Sequence, residues 1–83
     1  MPSLLPPPDS VLLMRALGAM QSEVRGQAVG EIALCARLNW DLMRVVRVIA
    51  RGVEIGYIEN AEGGGVALTP NGWRWYLRFG KTR

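Results

Sequence analysis

Residues 34–58 read LCARLNWDLMRVVRVIARGVEIGYI, and this stretch divides itself at Asn39 and at Gly56. From Leu42 to about Ile55 the apolar residues Leu42, Val45, Val46, Val48, Ile49 and Val53 share one face at about 100° per residue. Arg44, Arg47, Arg51 and Glu54 take the other face. Asp41 stands immediately before this helix as an N-cap. Asn39 falls where the chain must turn between two helices, and Asn is the best substitute for Gly in a left-handed conformation. Gly56 closes the helix as a C′ residue, and Tyr57 to Asn60 reads as a strand. The stretch is therefore two helices joined by a tight turn, running directly into a strand.

Upstream, Val29 to Leu38 supplies the helix before the turn, and Gln27-Ala28 offers a short strand ahead of it. A first helix from Val11 to about Gln21 carries Leu12, Leu13, Ala16, Leu17 and Met20 on one stripe, with Arg15, Gly18 and Ser22 opposite. Asp9 or Ser10 caps it, after a lead-in that Pro6, Pro7 and Pro8 keep out of helix. Downstream, Glu62-Gly63-Gly64-Gly65 is a turn and Val66–Leu68 returns as the second strand. Thr69-Pro70 then opens a last helix, about Asn71 to Phe79, with Thr as cap and Pro at the first helical position. Trp73, Tyr76 and Leu77 share one side of this helix, while Trp75 and Phe79 point elsewhere as a partner or dimer surface. The expected fold is mainly α with a small β-hairpin. Residues 1–9 form a proline-rich lead-in, 10–80 the domain, and 81–83 a basic tail.

Size and composition bound what such a domain does. The 83 residues make one domain at most, and 49% hydrophobic content is ample for one small core. No apolar run approaches the ~18 residues of a membrane span, and the start lacks the basic and apolar regions of a signal peptide. A single cysteine, Cys35, fits a reducing compartment, so a cytoplasmic location is expected. Its place in the helix before the turn is that of a small buried residue. Trp40, in the turn, reads as a plug for the core.

There is no histidine, which removes the commonest general base and metal ligand. One cysteine cannot build a zinc site, and Gly63-Gly64-Gly65 is not followed by the Gly-Lys-Ser/Thr of a phosphate loop. Enzyme activity, a metal and a cofactor are accordingly not expected. The net charge of +3, from nine arginines and one lysine against seven acids, is compatible with a polyanionic partner.

The order of these pieces resembles the winged helix-turn-helix regulators of bacteria and archaea, particularly the multiple-antibiotic-resistance type. Leu34, Cys35, Leu38, Asn39, Trp40 and Asp41 occupy the places of that family's helix–turn–cap pattern. Val45 and Val48 match the buried positions of its recognition helix. Gly56-Tyr57-Ile58 leads into the wing, and Leu68-Thr69-Pro70-Asn71-Gly72 leaves it. The likeness covers roughly residues 10–79. It implies three helices, a two- or three-stranded wing and a C-terminal helix. It also implies a small prokaryotic or phage transcriptional regulator that reads double-stranded DNA, commonly as a homodimer.

In that reading Arg44 and Arg47 meet bases or phosphates, Arg51 meets the backbone, and Met43 touches a thymine methyl. Arg74 and Arg78, one turn apart on the last helix, brace a DNA backbone or form a solvated face. Two features point instead to a protein-binding module that acts as an assembly or accessory factor. The exposed start of the recognition helix is apolar at Leu42, Met43 and Val46, and the wing carries Glu59 and Glu62 with no basic residue at its tip. The DNA reading requires that the arginine row face outward, free of carboxylate partners.

Overall fold

The computed structural model describes residues 8–80. Four helices and a two-stranded antiparallel sheet surround one core. Helix α1 spans Pro8–Glu23, α2 Glu31–Leu38 and α3 Leu42–Glu54. Strands β1 (Ile58–Asn60) and β2 (Val66–Leu68) form the hairpin, and α4 (Pro70–Trp75) runs into a π-helical turn, Tyr76–Gly80. Within the described residues no helix is long and apolar enough to cross a membrane.

Helix α1 begins at Pro8, ahead of the expected start at Val11, so Asp9 and Ser10 lie in its first turn and do not cap it. Proline is tolerated there because the first N–H groups of a helix have no partner within it. Of the expected lead-in, residues 1–9, Pro8 and Asp9 belong to α1, and residues 1–7 lie outside the described part. Leu13, Met14 and Leu17 are fully buried and form the floor of the core. Gly18, expected on the solvent side, is buried, because a Cβ at that position would run into the Tyr76 ring. Leu12, expected in the core stripe, is largely exposed.

Gln21 sits at the centre of the packing without having stood out in the sequence. Its side chain is buried, donates from Nε2 to the Gly26 carbonyl (3.0 Å) and accepts at Oε1 from Leu68 N–H (2.8 Å). One amide thus ties the end of α1 to strand β2. Helix α2 starts at Glu31, two residues later than expected. The strand read at Gln27-Ala28 is a single bridge one residue on, in which Val29 and Val66 exchange N–H···O bonds of 2.8 Å each way.

The hairpin pairs Ile58 with Leu68, Glu59 with Ala67 and Asn60 with Val66. Ile58, Val66 and Leu68 turn inward onto the helices. Thr69 joins the hairpin to α4. Its hydroxyl donates to the Gly56 carbonyl (2.6 Å) and accepts from Gly72 N–H (3.1 Å), while its own N–H donates to the Tyr57 carbonyl (3.1 Å). Gly72 is packed so closely on Tyr57 that a Cβ there would strike the Tyr57 carbonyl oxygen.

The last helix differs most from expectation. Trp75, read as an exposed partner residue, is 8% exposed and belongs to the core with Tyr76. Leu77, read as a core residue, is exposed, and Trp73 is only partly buried. Trp75 lies within α4, so its burial is set by the elements that cover it. Only from Tyr76 does the chain take π geometry, whose wider turn changes the angular spacing assumed for Leu77. Gly80, the last residue of the expected domain, is buried against Trp75 and Tyr76. The basic tail 81–83 lies outside the described residues.

Candidate nucleic-acid interface

The turn between α2 and α3 is built as the sequence requires. Asn39 adopts the left-handed conformation (φ 56°, ψ 44°), and Trp40 N–H donates to the Cys35 carbonyl (3.1 Å). Asp41 caps α3 by accepting from Arg44 N–H at 2.8 Å. Cys35 and Trp40 are both partly buried and packed against the core.

Helix α3 then divides into three stripes. Val45, Val48, Ile49 and Gly52 face inward. Arg44, Arg47 and Arg51 run along one flank, where Arg47 and Arg51 share a shallow groove of about 200 Å³ with Asp9 and Ser10 of α1. The opposite flank is apolar. Val46, Ala50 and Val53 line a groove of about 320 Å³ that is closed by Glu31 of α2 and Asn60 of β1.

The expected core stripe of α3 is therefore too wide by three residues. Leu42 (47% exposed), Val46 (43%) and Val53 (38%) remain in solvent. Their position on the helix is apolar, but no element lies over that side, since α2 and the hairpin reach only its margin. Met43 is 74% exposed at the start of the helix. On α2, Ile32 is 69% exposed, an apolar position that sequence reading passed over.

All four residues expected at DNA, Met43, Arg44, Arg47 and Arg51, lie on the outer surface of α3. Among the described residues, the condition that the row be free of carboxylate partners is met at Arg47 alone, and Arg44 and Arg51 depart from it. Arg44 Nη2 lies 3.1 Å from Asp9 Oδ1, with its guanidinium 4.1 Å above the Trp40 ring. Arg51 Nη1 lies 3.2 Å from Glu54 Oε1, one turn along the same helix. Arg47 has no carboxylate within ion-pair distance among the described residues. Both pairs are open to water, the less exposed of their side chains being 44% accessible. Exposed pairs of this kind contribute about 0–1 kcal/mol and are screened by salt, so the guanidiniums remain available to a competing anion.

The hairpin that follows carries Glu59 and Glu62 on its exposed side. At the other end of the molecule Phe79 is 54% exposed while Trp75 is not, so the surface expected for a dimer or partner is reduced to Phe79 and Leu77. No protein-family model, curated protein or solved structure matches this chain.

Proposed function

We propose that the chain is a winged-helix DNA-binding protein, acting as a small transcriptional regulator. In this reading α2, its left-handed turn and α3 form the helix-turn-helix, and β1–β2 is the wing. The observation that carries the proposal is the row Arg44, Arg47 and Arg51 on the exposed flank of a helix presented by that turn. Arg47 makes the first contact, since no carboxylate competes for it among the described residues. Arg44 and Arg51 exchange Asp9 and Glu54 for phosphate oxygens, an exchange made cheap by the exposure of both pairs. The hairpin, with its two glutamates, stays off the backbone. The test is a mobility shift on random-sequence duplex, where the wild-type chain retards the DNA and Arg47→Ala weakens the shift.

One observation favours a second reading, a protein-binding winged-helix module. The apolar flank of α3 exposes Leu42, Val46 and Val53 beside the more exposed Met43 and Ile32. Exposed apolar side chains grouped in this way mark protein contacts more often than scattered ones do. Failure of duplex binding, with a Val46→Asp change that leaves the fold intact but abolishes capture of a partner, would transfer the assignment to this surface.

A further inference from the structure

A third groove, of about 330 Å³, lies where the last helix meets the start of the hairpin. It is lined by Tyr57, Asn71, Arg74, Trp75, Arg78 and Phe79. Two guanidiniums four residues apart therefore share one concavity with three aromatic rings and an amide. Their electrostatic situation is that of Arg47 and differs from that of the paired arginines. Arg37, Arg44 and Arg51 each have a carboxylate within 4.0 Å, whereas among the described residues neither Arg74 nor Arg78 has one.

The aromatic walls are also distinct in kind. Trp75 is buried and forms the floor, with Phe79 beside it at a ring-centroid distance of 6.5 Å. Phe79 presents half of its surface to solvent, and the Arg78 guanidinium lies 5.4 Å from its ring centroid. The π-helical turn that begins at Tyr76 carries both Arg78 and Phe79, and such turns occur frequently at functional sites. An exposed aromatic on which a planar ring can stack, with two guanidiniums lining the same groove to take an anion, suits a nucleotide.

We propose that this groove binds a nucleotide unit, its phosphate between Arg74 and Arg78 and its base against Phe79. The assignment is independent of duplex binding by α3, because it uses other residues and an unpaired base. The phosphate and base come either from a free nucleotide or from a single strand, and the two sources present the same chemistry to the groove.

The test is a titration of the uniformly labelled full chain, followed by amide and indole NMR shifts. The probes are inorganic phosphate, thymidine monophosphate and an eight-residue oligothymidylate. Expected are saturable shifts at Asn71, Trp75 and Phe79 with both nucleotide probes, and at least tenfold weaker binding of phosphate alone. Arg74→Gln with Arg78→Gln should lower nucleotide affinity at least tenfold, and Phe79→Ala should lower it while leaving phosphate binding unchanged. Tighter binding of the oligomer than of the monophosphate identifies a single strand as the ligand, and equal binding per unit identifies a free nucleotide. Absence of shifts at these residues, or shifts that survive the double arginine change, overturns the proposal. Equal affinity for phosphate and thymidine monophosphate also overturns it. Arg47→Ala should weaken duplex binding and leave the nucleotide shifts at this groove unchanged, so loss of this site and loss of the α3 site are separable.

Discussion

Arg44 on α3 and Asp9 on α1 meet across 3.1 Å although 35 residues separate them in the chain. The contact fixes the first turn of one helix against the first turn of the other, and it places a carboxylate beside a guanidinium that the DNA reading needs. Both side chains are close to half exposed. In the proposed DNA reading, the pair acts through competition with phosphate more than through stability.

Neutralising the competing acids should strengthen duplex binding. Asp9→Asn combined with Glu54→Gln leaves all three arginines in place and removes two negative charges from their flank. Affinity for random duplex, measured by fluorescence anisotropy at low salt, is expected to rise several-fold. The same changes should shift unfolding stability by less than about 1 kcal/mol, the range of exposed ion pairs. Unchanged or weaker DNA binding would show that the arginine row does not meet phosphates.

Loss of the α3 cap should loosen α3 itself. Asp41 accepts from Arg44 N–H, and its removal leaves a first-turn donor without that partner. Asp41→Ala is expected to lower stability by about 1 kcal/mol in urea unfolding, while Asp41→Ser restores most of it. Equal stability of the alanine and serine forms would contradict the capping role.

Gln21 should behave as a core residue despite its polarity. Gln21→Leu keeps the volume but leaves Leu68 N–H buried without its acceptor. The expected loss is about 1–3 kcal/mol, with hydrogen exchange accelerated at Leu68. Unaltered stability and unaltered protection at Leu68 would remove Gln21 from the account of how α1 holds the hairpin.

Gly72 tests the junction between the hairpin and α4. A methyl group there meets the Tyr57 carbonyl oxygen, a backbone atom already engaged by Thr69 N–H, so relief requires the whole junction to shift. Gly72→Ala should cost about 2–3 kcal/mol, as overpacked sites do, and thermal unfolding measures it. A stability equal to that of the unaltered chain would mean that the junction is looser than its packing indicates.

Much of this architecture was legible from local chemistry. Asn39, Asp41, Gly56, Thr69 and Pro70 each mark a boundary through a backbone or capping requirement that depends on the residue and its neighbours alone, and α3 and both strands fall where those residues put them. What sequence did not disclose depends on distant partners. The width of the buried stripe on α3 is set by which side the neighbouring elements cover, so Val53 was indistinguishable from Val48, while Leu42 and Val46 could be read either as part of the stripe or as an exposed apolar start. The burial of Gly18 depends on Tyr76, and the Arg44–Asp9 pair joins opposite halves of the chain. The burial of Trp75 depends on which elements cover α4, and the π-helical turn that changes the spacing at Leu77 is announced by no residue in YLRFG. The arginines of the candidate interface were visible as a row, but their carboxylate neighbours were not.

The salt dependence of duplex binding tests the central claim most directly. With Arg44, Arg47 and Arg51 all on phosphates, log K for random duplex should fall against log salt with a slope of roughly −3. Arg47→Ala should reduce that slope by about one. A flat response, or a slope unaltered in the triple change Arg44→Ala, Arg47→Ala and Arg51→Ala, would contradict the assignment of α3 as the DNA-binding helix.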